Sequence, residues 1–175
     1  MNILYVIISP KYGWEVINES NIPTGTLLSR AYYPLLAILM ISCFVPRIYD
    51  STLSFGTLLL NAIVMLATFW VAYYIIIYLL GCSYPELVKT EGATARLHDF
   101  ILYNLIFLVL INFIINLLPS DFTPLRFLMV YLPWMAYRGT DNLFVKKNKV
   151  NKFVFVSSAM LLGVPLFLQF ILSKF

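Results

Sequence analysis

Charge is what this chain has least of. Only 11% of its 175 residues are Asp, Glu, Lys or Arg, while 61% are hydrophobic, and the mean hydropathy is +0.86. A soluble domain is charged at roughly a quarter of its positions. So few charges cannot shield this much Leu, Ile, Val and Phe from water, so a soluble globular domain is excluded. A bilayer removes the difficulty, because it is itself an apolar solvent. Histidine and cysteine are also scarce: His98 stands alone, and the cysteines are Cys43 and Cys82. That leaves no Cys/His zinc spacing and no disulfide scaffold. A Gly-rich phosphate loop, a nucleophile elbow and the paired aspartates of enzymes acting on nucleotide-activated lipids are missing as well. No catalytic, cofactor-binding or metal site is therefore expected. The opening stretch, Met1 to Pro10, has neither a basic flank nor a cleavage site and is read as retained.

What the chain has instead is long apolar runs. A span needs about 20 mostly apolar residues to cross about 30 Å of hydrocarbon. Five segments are read this way, at 31–45, 53–80, 100–118, 124–137 and 153–172. Pro34 falls in the opening turn of the first, where a missing N–H costs nothing. Gly81 is expected to close the second, and Pro119-Ser120-Asp121 to stop the third. The fourth is short, with Arg126 near its start and Pro133 inside it, and a re-entrant hairpin is its alternative. Pro165 is expected to kink the fifth. The fold class is thus all-α, a polytopic membrane bundle of about five transmembrane helices. Residues 1–30 form an N-terminal segment ahead of the bundle at 31–175.

The basic residues orient the bundle. With five spans and the N-terminus inside, Lys11, Arg30, Lys89, Arg96, Arg138, Lys146, Lys147, Lys149 and Lys152 are cytoplasmic. Arg47, Arg126 and Lys174 fall on the opposite side. Nine against three accounts for all twelve and has the sign of the positive-inside rule. The C-terminus then lies opposite the N-terminus.

Ahead of the first span, Ser9 and Pro10 read as the N-cap and first residue of a short helix reaching about Asn18. Pro10, Trp14 and Ile17 share one face, and Lys11 and Glu15 another. This predicts an interfacial helix with Trp14 as its lipid anchor.

Inside the spans the polar residues are asparagines: Asn61 in the second, and Asn104, Asn112 and Asn116 in the third. At 100° per residue, Asn112 and Asn116 lie about 80° and about 120° from Asn104, so the three share one broad face. Such a face turns inward or toward a partner, either as helix-packing glue or as a polar cavity wall. Lys146, Lys147, Lys149 and Lys152, with Arg138 upstream, form a cationic cluster at a membrane edge. It suits anionic lipid head groups or an acidic partner protein; nothing suggests nucleic acid. His98 and Asp99 are adjacent and could do acid–base work or help bind a metal, which would make the chain a membrane enzyme. Neighbouring helical residues point in different directions, however, so a structural role is expected of them.

The stretch Ser9-Pro10-Lys11-Tyr12-Gly13-Trp14-Glu15-Val16-Ile17 ahead of five spans resembles the Yip1 family. Bacterial members often begin Pro-x-x-x-[Trp/Phe]-x-x-Ile, and Pro10, Trp14 and Ile17 fit. Leu128 to Gly139 is similar to that family's fourth span, which commonly ends in an aromatic and a glycine. The proline that many members carry early in the third span is missing, as is the Asp-Leu-Tyr-Gly-Pro signature of eukaryotic members. The resemblance implies a non-enzymatic scaffold or adaptor in a bacterial cytoplasmic membrane, acting through contacts with itself, other membrane proteins or lipids. The alternative is a small passive transporter or lipid-handling protein with an asparagine-lined cavity. A cavity bordered by Asn104, Asn112 and Asn116 favours the second, and tight packing there favours the first.

Overall fold

The structure is a computed structural model that describes residues 3–20, 22–89, 92–119, 123–143 and 145–174. Ser120 and Asp121, read as part of the stop after the third span, lie outside the described residues. Every described element is helical. In chain order they are α1 (Ile3–Ile8), α2 (Pro10–Ser20), α3 (Thr24–Tyr49), α4 (Phe55–Ser83), α5 (Glu86–Lys89) and α6 (Ala93–Leu117). A 3₁₀ segment (Thr123–Val130) then runs into α7 (Tyr131–Gly139), and α8 (Val150–Leu172) follows. Four helices among the described residues are long and apolar enough to cross a membrane. The protein is an all-α polytopic membrane bundle.

Helix α6 is the axis. It packs against α3, α4, α7 and the 3₁₀ segment, with a lighter contact to α8, while α8 lies mainly against α4 and α7. All ten residues from Phe100 to Val109 are buried. A helix apolar on every face is one surrounded by other helices. The outside is apolar too: Ile41, Phe155 and Phe167 are each more than 60% exposed, as lipid-facing residues should be.

Side-chain links define two ends. At one, Thr24 Oγ1 donates to Asp99, and Tyr84 packs edge-on to Phe153. At the other, Tyr49 Oη donates to the Leu117 carbonyl and Asn116 Nδ2 to Ser42 Oγ. Helices α3, α6 and α8 therefore start at one end and α4 at the other. Helix α4 thus runs antiparallel to the other three, and the short fourth segment returns the chain between α6 and α8.

Several boundaries differ from the sequence reading, among them the end of α3 at Tyr49 and the start of α8 at Val150; for three helices a backbone feature marks the change. Helix α3 starts at Thr24, not Ala31, so Pro34 does not open it and the expected boundary at residue 30 falls inside a helix. The turn before the proline, Leu28–Tyr32, is π-helical, and the Tyr33 N–H bonds the Leu28 carbonyl five residues back. That wider register carries the chain past Pro34, which has no N–H to give. Helix α4 does not stop at Gly81 but continues to Ser83, and it starts at a capped end where Ser54 Oγ accepts from the Thr57 N–H. Helix α6 begins at Ala93, seven residues before Phe100, behind Gly92 at φ 77°.

The short fourth segment is not among the four long apolar helices, yet it runs far along α6. Arg126 and Met129 sit beside Asn112 and Asn116, the Tyr131 ring is 5.8 Å from Phe107, and Gly139 abuts Phe100. From Asn116 to Phe100 is about 24 Å of helix axis. The 3₁₀ start lengthens the segment: eight residues at about 2.0 Å and nine at about 1.5 Å make about 30 Å, so it covers this distance with room to spare. The change to α at Tyr131 places Pro133 in the first turn of α7, where its lack of an N–H costs nothing.

Candidate functional site: a polar cavity in the bundle

A cavity of about 460 Å³ opens between α4, α6, the 3₁₀ segment and α8, toward the Asn116 end. Its polar wall is Asn61 and Thr68 from α4, Asn112 and Asn116 from α6, Arg126 from the 3₁₀ segment and Gln169 from α8. Each owes its place to helical spacing. Asn61 and Thr68 are seven residues apart, and Asn112 and Asn116 four, so each pair lies on one side of its helix.

The amides are held in different ways. Asn112 Nδ2 donates to the Leu108 carbonyl of its own helix at 2.8 Å, and Asn116 Nδ2 reaches across to Ser42 Oγ on α3 at 3.0 Å. Gln169 Nε2 lies 3.8 Å from Met65 Sδ. Thr68 is 1% exposed and its Oγ1 has no hydrogen-bond partner. A buried hydroxyl left unpaired costs about 1–3 kcal/mol. Pro165 also lines the cavity, and its missing N–H leaves the Leu161 carbonyl without its intrahelical donor on the same side of α8. The wall thus offers amide and guanidinium groups to a polar guest, with the Thr68 hydroxyl buried behind it, and among the described residues no carboxylate lines it.

The expected asparagine face is only partly realised. Asn104 is fully buried in the core, away from this cavity, with Nδ2 donating to the Phe100 carbonyl at 2.7 Å and Oδ1 unpartnered. Asn104 is two helical turns below Asn112, at the level where α3, α4 and α7 close around α6. Of the three amides on α6, Asn116 alone makes an interhelical bond through Nδ2. Asn61 is exposed at the cavity mouth.

Trp14 is not a lipid anchor. It is 3% exposed, and its Nε1–H donates to the Met135 carbonyl at 3.1 Å. Its ring stacks on Phe100 and meets Tyr103 edge-on. The helix itself forms as expected, from Pro10, with Pro10 buried and Lys11 and Glu15 exposed. The apolar face is covered by α7 and α6 rather than lipid, because α1 folds back on α2 and the pair docks as a unit. Tyr131 Oη donates to the Ile7 carbonyl at 3.1 Å, and Gly139 leaves room for the indole.

The cationic cluster gathers at the opposite end from the cavity. Lys146, Lys147, Lys149 and Lys152 are exposed, and Arg138 lies over the Trp134 ring at 4.7 Å. Lys149 pairs with Glu86 at 3.1 Å, and that hydrogen bond holds the Glu86 carboxyl below the usual glutamate range. His98 and Asp99 point to different neighbours: Tyr73 Oη is 2.8 Å from His98 Nδ1, while Asp99 accepts from Thr24. Cys43 is buried and Cys82 exposed, near opposite ends of the bundle. Among the described residues no three metal-ligating side chains gather.

A second cavity, of about 370 Å³, lies in the groove between α7 and α8, bordered by Pro133, Tyr137, Asn151 and Ser158. Ser158 Oγ is buried without a partner. The sequence reading singled out neither Thr68 nor Gln169, Asn151 and Ser158. The signal for the last three was a stripe at i, i+7 and i+18 on one helix, masked by the small size of Ser and the isolation of Gln169. No family model, no curated protein and no solved structure matches this chain.

Proposed function

We propose that this is a non-enzymatic membrane protein that binds the polar head of an amphiphile in the cavity beside Asn112 and Asn116. The observation that carries this reading is a cavity walled by Asn61, Asn112, Asn116, Arg126 and Gln169 within a bundle that is mostly apolar inside and out. Polar side chains at membrane depth are costly and mark substrate paths. The Arg126 guanidinium in the wall favours a neutral or anionic head group over a cation, and no carboxylate stands beside it among the described lining residues. The nine-to-three basic bias supports five spans, with the Lys cluster and N-terminus on the cytoplasmic side of a bacterial inner membrane. The cavity then faces the opposite leaflet.

The test is the lipid content of the protein purified in mild detergent. The wild type should carry phospholipid visible by native mass spectrometry. Asn112→Phe, which fills the cavity and breaks no interhelical bond, and Arg126→Gln should both lose it. Equal lipid retention by both variants would refute the assignment.

A second reading is a Yip1-like scaffold working through helix contacts, and the tight packing around Asn104 supports it. Pro10, Trp14 and Ile17, which carry the resemblance, face the bundle. Recovery of a membrane-protein partner or a homo-oligomer with no bound lipid would favour this reading.

A further inference from the structure

The two cavities share a wall residue, Leu162, and together they follow one side of α8. Asn151, Ser158, Leu162 and Gln169 fall at i, i+7, i+11 and i+18, within about 20° of a single line down the helix, with Pro165 about 40° away. From Asn151 to Gln169 is about 27 Å along the axis, close to the roughly 30 Å of hydrocarbon that separates the head-group layers. From this we infer a further activity: the α8 groove is a path along which the head group of a membrane glycerophospholipid passes between leaflets, with Leu162 as its apolar constriction. The inference rests on the amphiphile-binding reading above and extends it from one cavity to the whole thickness of the bundle.

The chemistry along the line suits a phosphate head. Each end carries cations: Lys147 and Lys152, both exposed, lie in sequence beside Asn151, and Arg126 lines the far cavity. Between them the described wall carries no charge: it is polar at Asn112, Asn116 and Gln169 and mostly apolar in the groove between α7 and α8. Ser158 and Thr68 line the two cavities with their hydroxyls buried behind the wall and without a partner, so a rotation about χ1 would present an unused hydrogen bond to a passing oxygen. Both cavities open sideways, with Phe155 on the rim of one and Leu166 on the rim of the other, each more than half exposed. A lipid can therefore keep its acyl chains in the bilayer while its head moves along the groove. A water-soluble solute would need walls on every side, which this groove lacks. The movement is passive and runs down whatever gradient exists between leaflets.

The experiment reconstitutes the full chain in phosphatidylcholine vesicles with a trace of head-group-labelled fluorescent phosphatidylglycerol. Dithionite then bleaches the label reachable from outside. In protein-free vesicles the inner leaflet is protected, and with the wild type it should bleach as well. Leu162→Phe should slow that phase about tenfold, equivalent to about 1.4 kcal/mol on the barrier, and Leu162→Ala should speed it. Leu59→Phe, on an exposed face of α4 outside both cavities, should match the wild type and controls for folding and insertion. Protein-containing vesicles that keep their inner leaflet protected would overturn the inference, as would equal rates for Leu162→Phe and Leu59→Phe. Lipid carried by the same preparation, measured by native mass spectrometry, separates the two proposals. Bound phospholipid without transfer leaves the cavity reading standing and removes the path, while loss of both removes the cavity reading.

Discussion

Replacing Gly13 by Ala sets two effects of opposite sign against each other, and the structure decides which wins. Gly13 sits in the first turns of α2, where helix propensity alone favours Ala by about 1 kcal/mol. A Cβ built there, however, would lie 2.5 Å from both Cα and N of Val6 and 2.6 Å from the Tyr5 carbonyl carbon. All three are backbone atoms, so no rotamer change relieves the contact. Ordinary carbon contacts are about 3.5–4.0 Å, and α1 must therefore move away from α2 by about 1 Å. Overpacking of this kind costs about 1–3 kcal/mol. Moving α1 also loosens the edge-on Tyr5–Tyr12 pair at 5.8 Å, worth about 0.5–1.5 kcal/mol. The Tyr131 bond to the Ile7 carbonyl is worth about 1 kcal/mol more. A shift of about 1 Å loosens the ring pair and the hydrogen bond without removing them, so after the propensity gain is subtracted the docking of α1 should weaken by about 1–3 kcal/mol. Amide hydrogen exchange in nanodiscs measures it directly. Exchange across residues 3–8 should accelerate by about one to two factors of ten, at about 1.4 kcal/mol per factor, while α6 amides stay unchanged. Slower or unchanged exchange in α1 with a raised melting temperature would refute the reasoning, because it would mean that α1 and α2 do not meet at Gly13.

Three further outcomes are expected. Trp14→Phe keeps a ring against Phe100 and Tyr103 but loses the bond to the Met135 carbonyl, at about 1 kcal/mol, whereas Trp14→Ala should cost about 3–5 kcal/mol. Thermal unfolding in detergent would show both, and an unchanged melting point for Trp14→Ala would return Trp14 to the lipid. Asn104→Leu removes a buried amide whose Oδ1 has no partner, so it should be neutral or stabilising by about 1 kcal/mol; a marked loss in the same melts would show that Oδ1 has a partner in the membrane. A membrane-impermeant maleimide should label the exposed Cys82 in inside-out vesicles and not in intact cells, and labelling in intact cells would reverse the proposed orientation.

Much of the fold could be read from composition and punctuation. Sixty-one per cent hydrophobic residues with 11% charge demand a lipid solvent, and helices are how a chain of this kind satisfies its backbone there. Ser9-Pro10 marked the start of α2 correctly because a proline is favoured at the first helical position. The ends of the spans were less legible. Pro34 reads as a helix start by local rules, yet a π turn carries α3 past it. The 3₁₀ stretch before α7 was likewise not legible, because residues 124–137 read as one continuous helix by their apolar run.

The candidate site divides along the same line. From its sequence this protein is a helical membrane bundle with asparagines at depth and cations at one edge, because solvent, helical period and charge bias act residue by residue. Only the tertiary structure decides what each polar group faces. It puts Trp14 against Phe100 instead of lipid, because the fold of α1 onto α2 docks that face into the bundle. It buries Asn104 where four helices converge and leaves Asn112 and Asn116 on a cavity wall with Arg126 and Gln169. Within a bilayer every face of a helix is apolar by default, so periodicity cannot say which face meets protein. Packing between helices distant in sequence makes that choice.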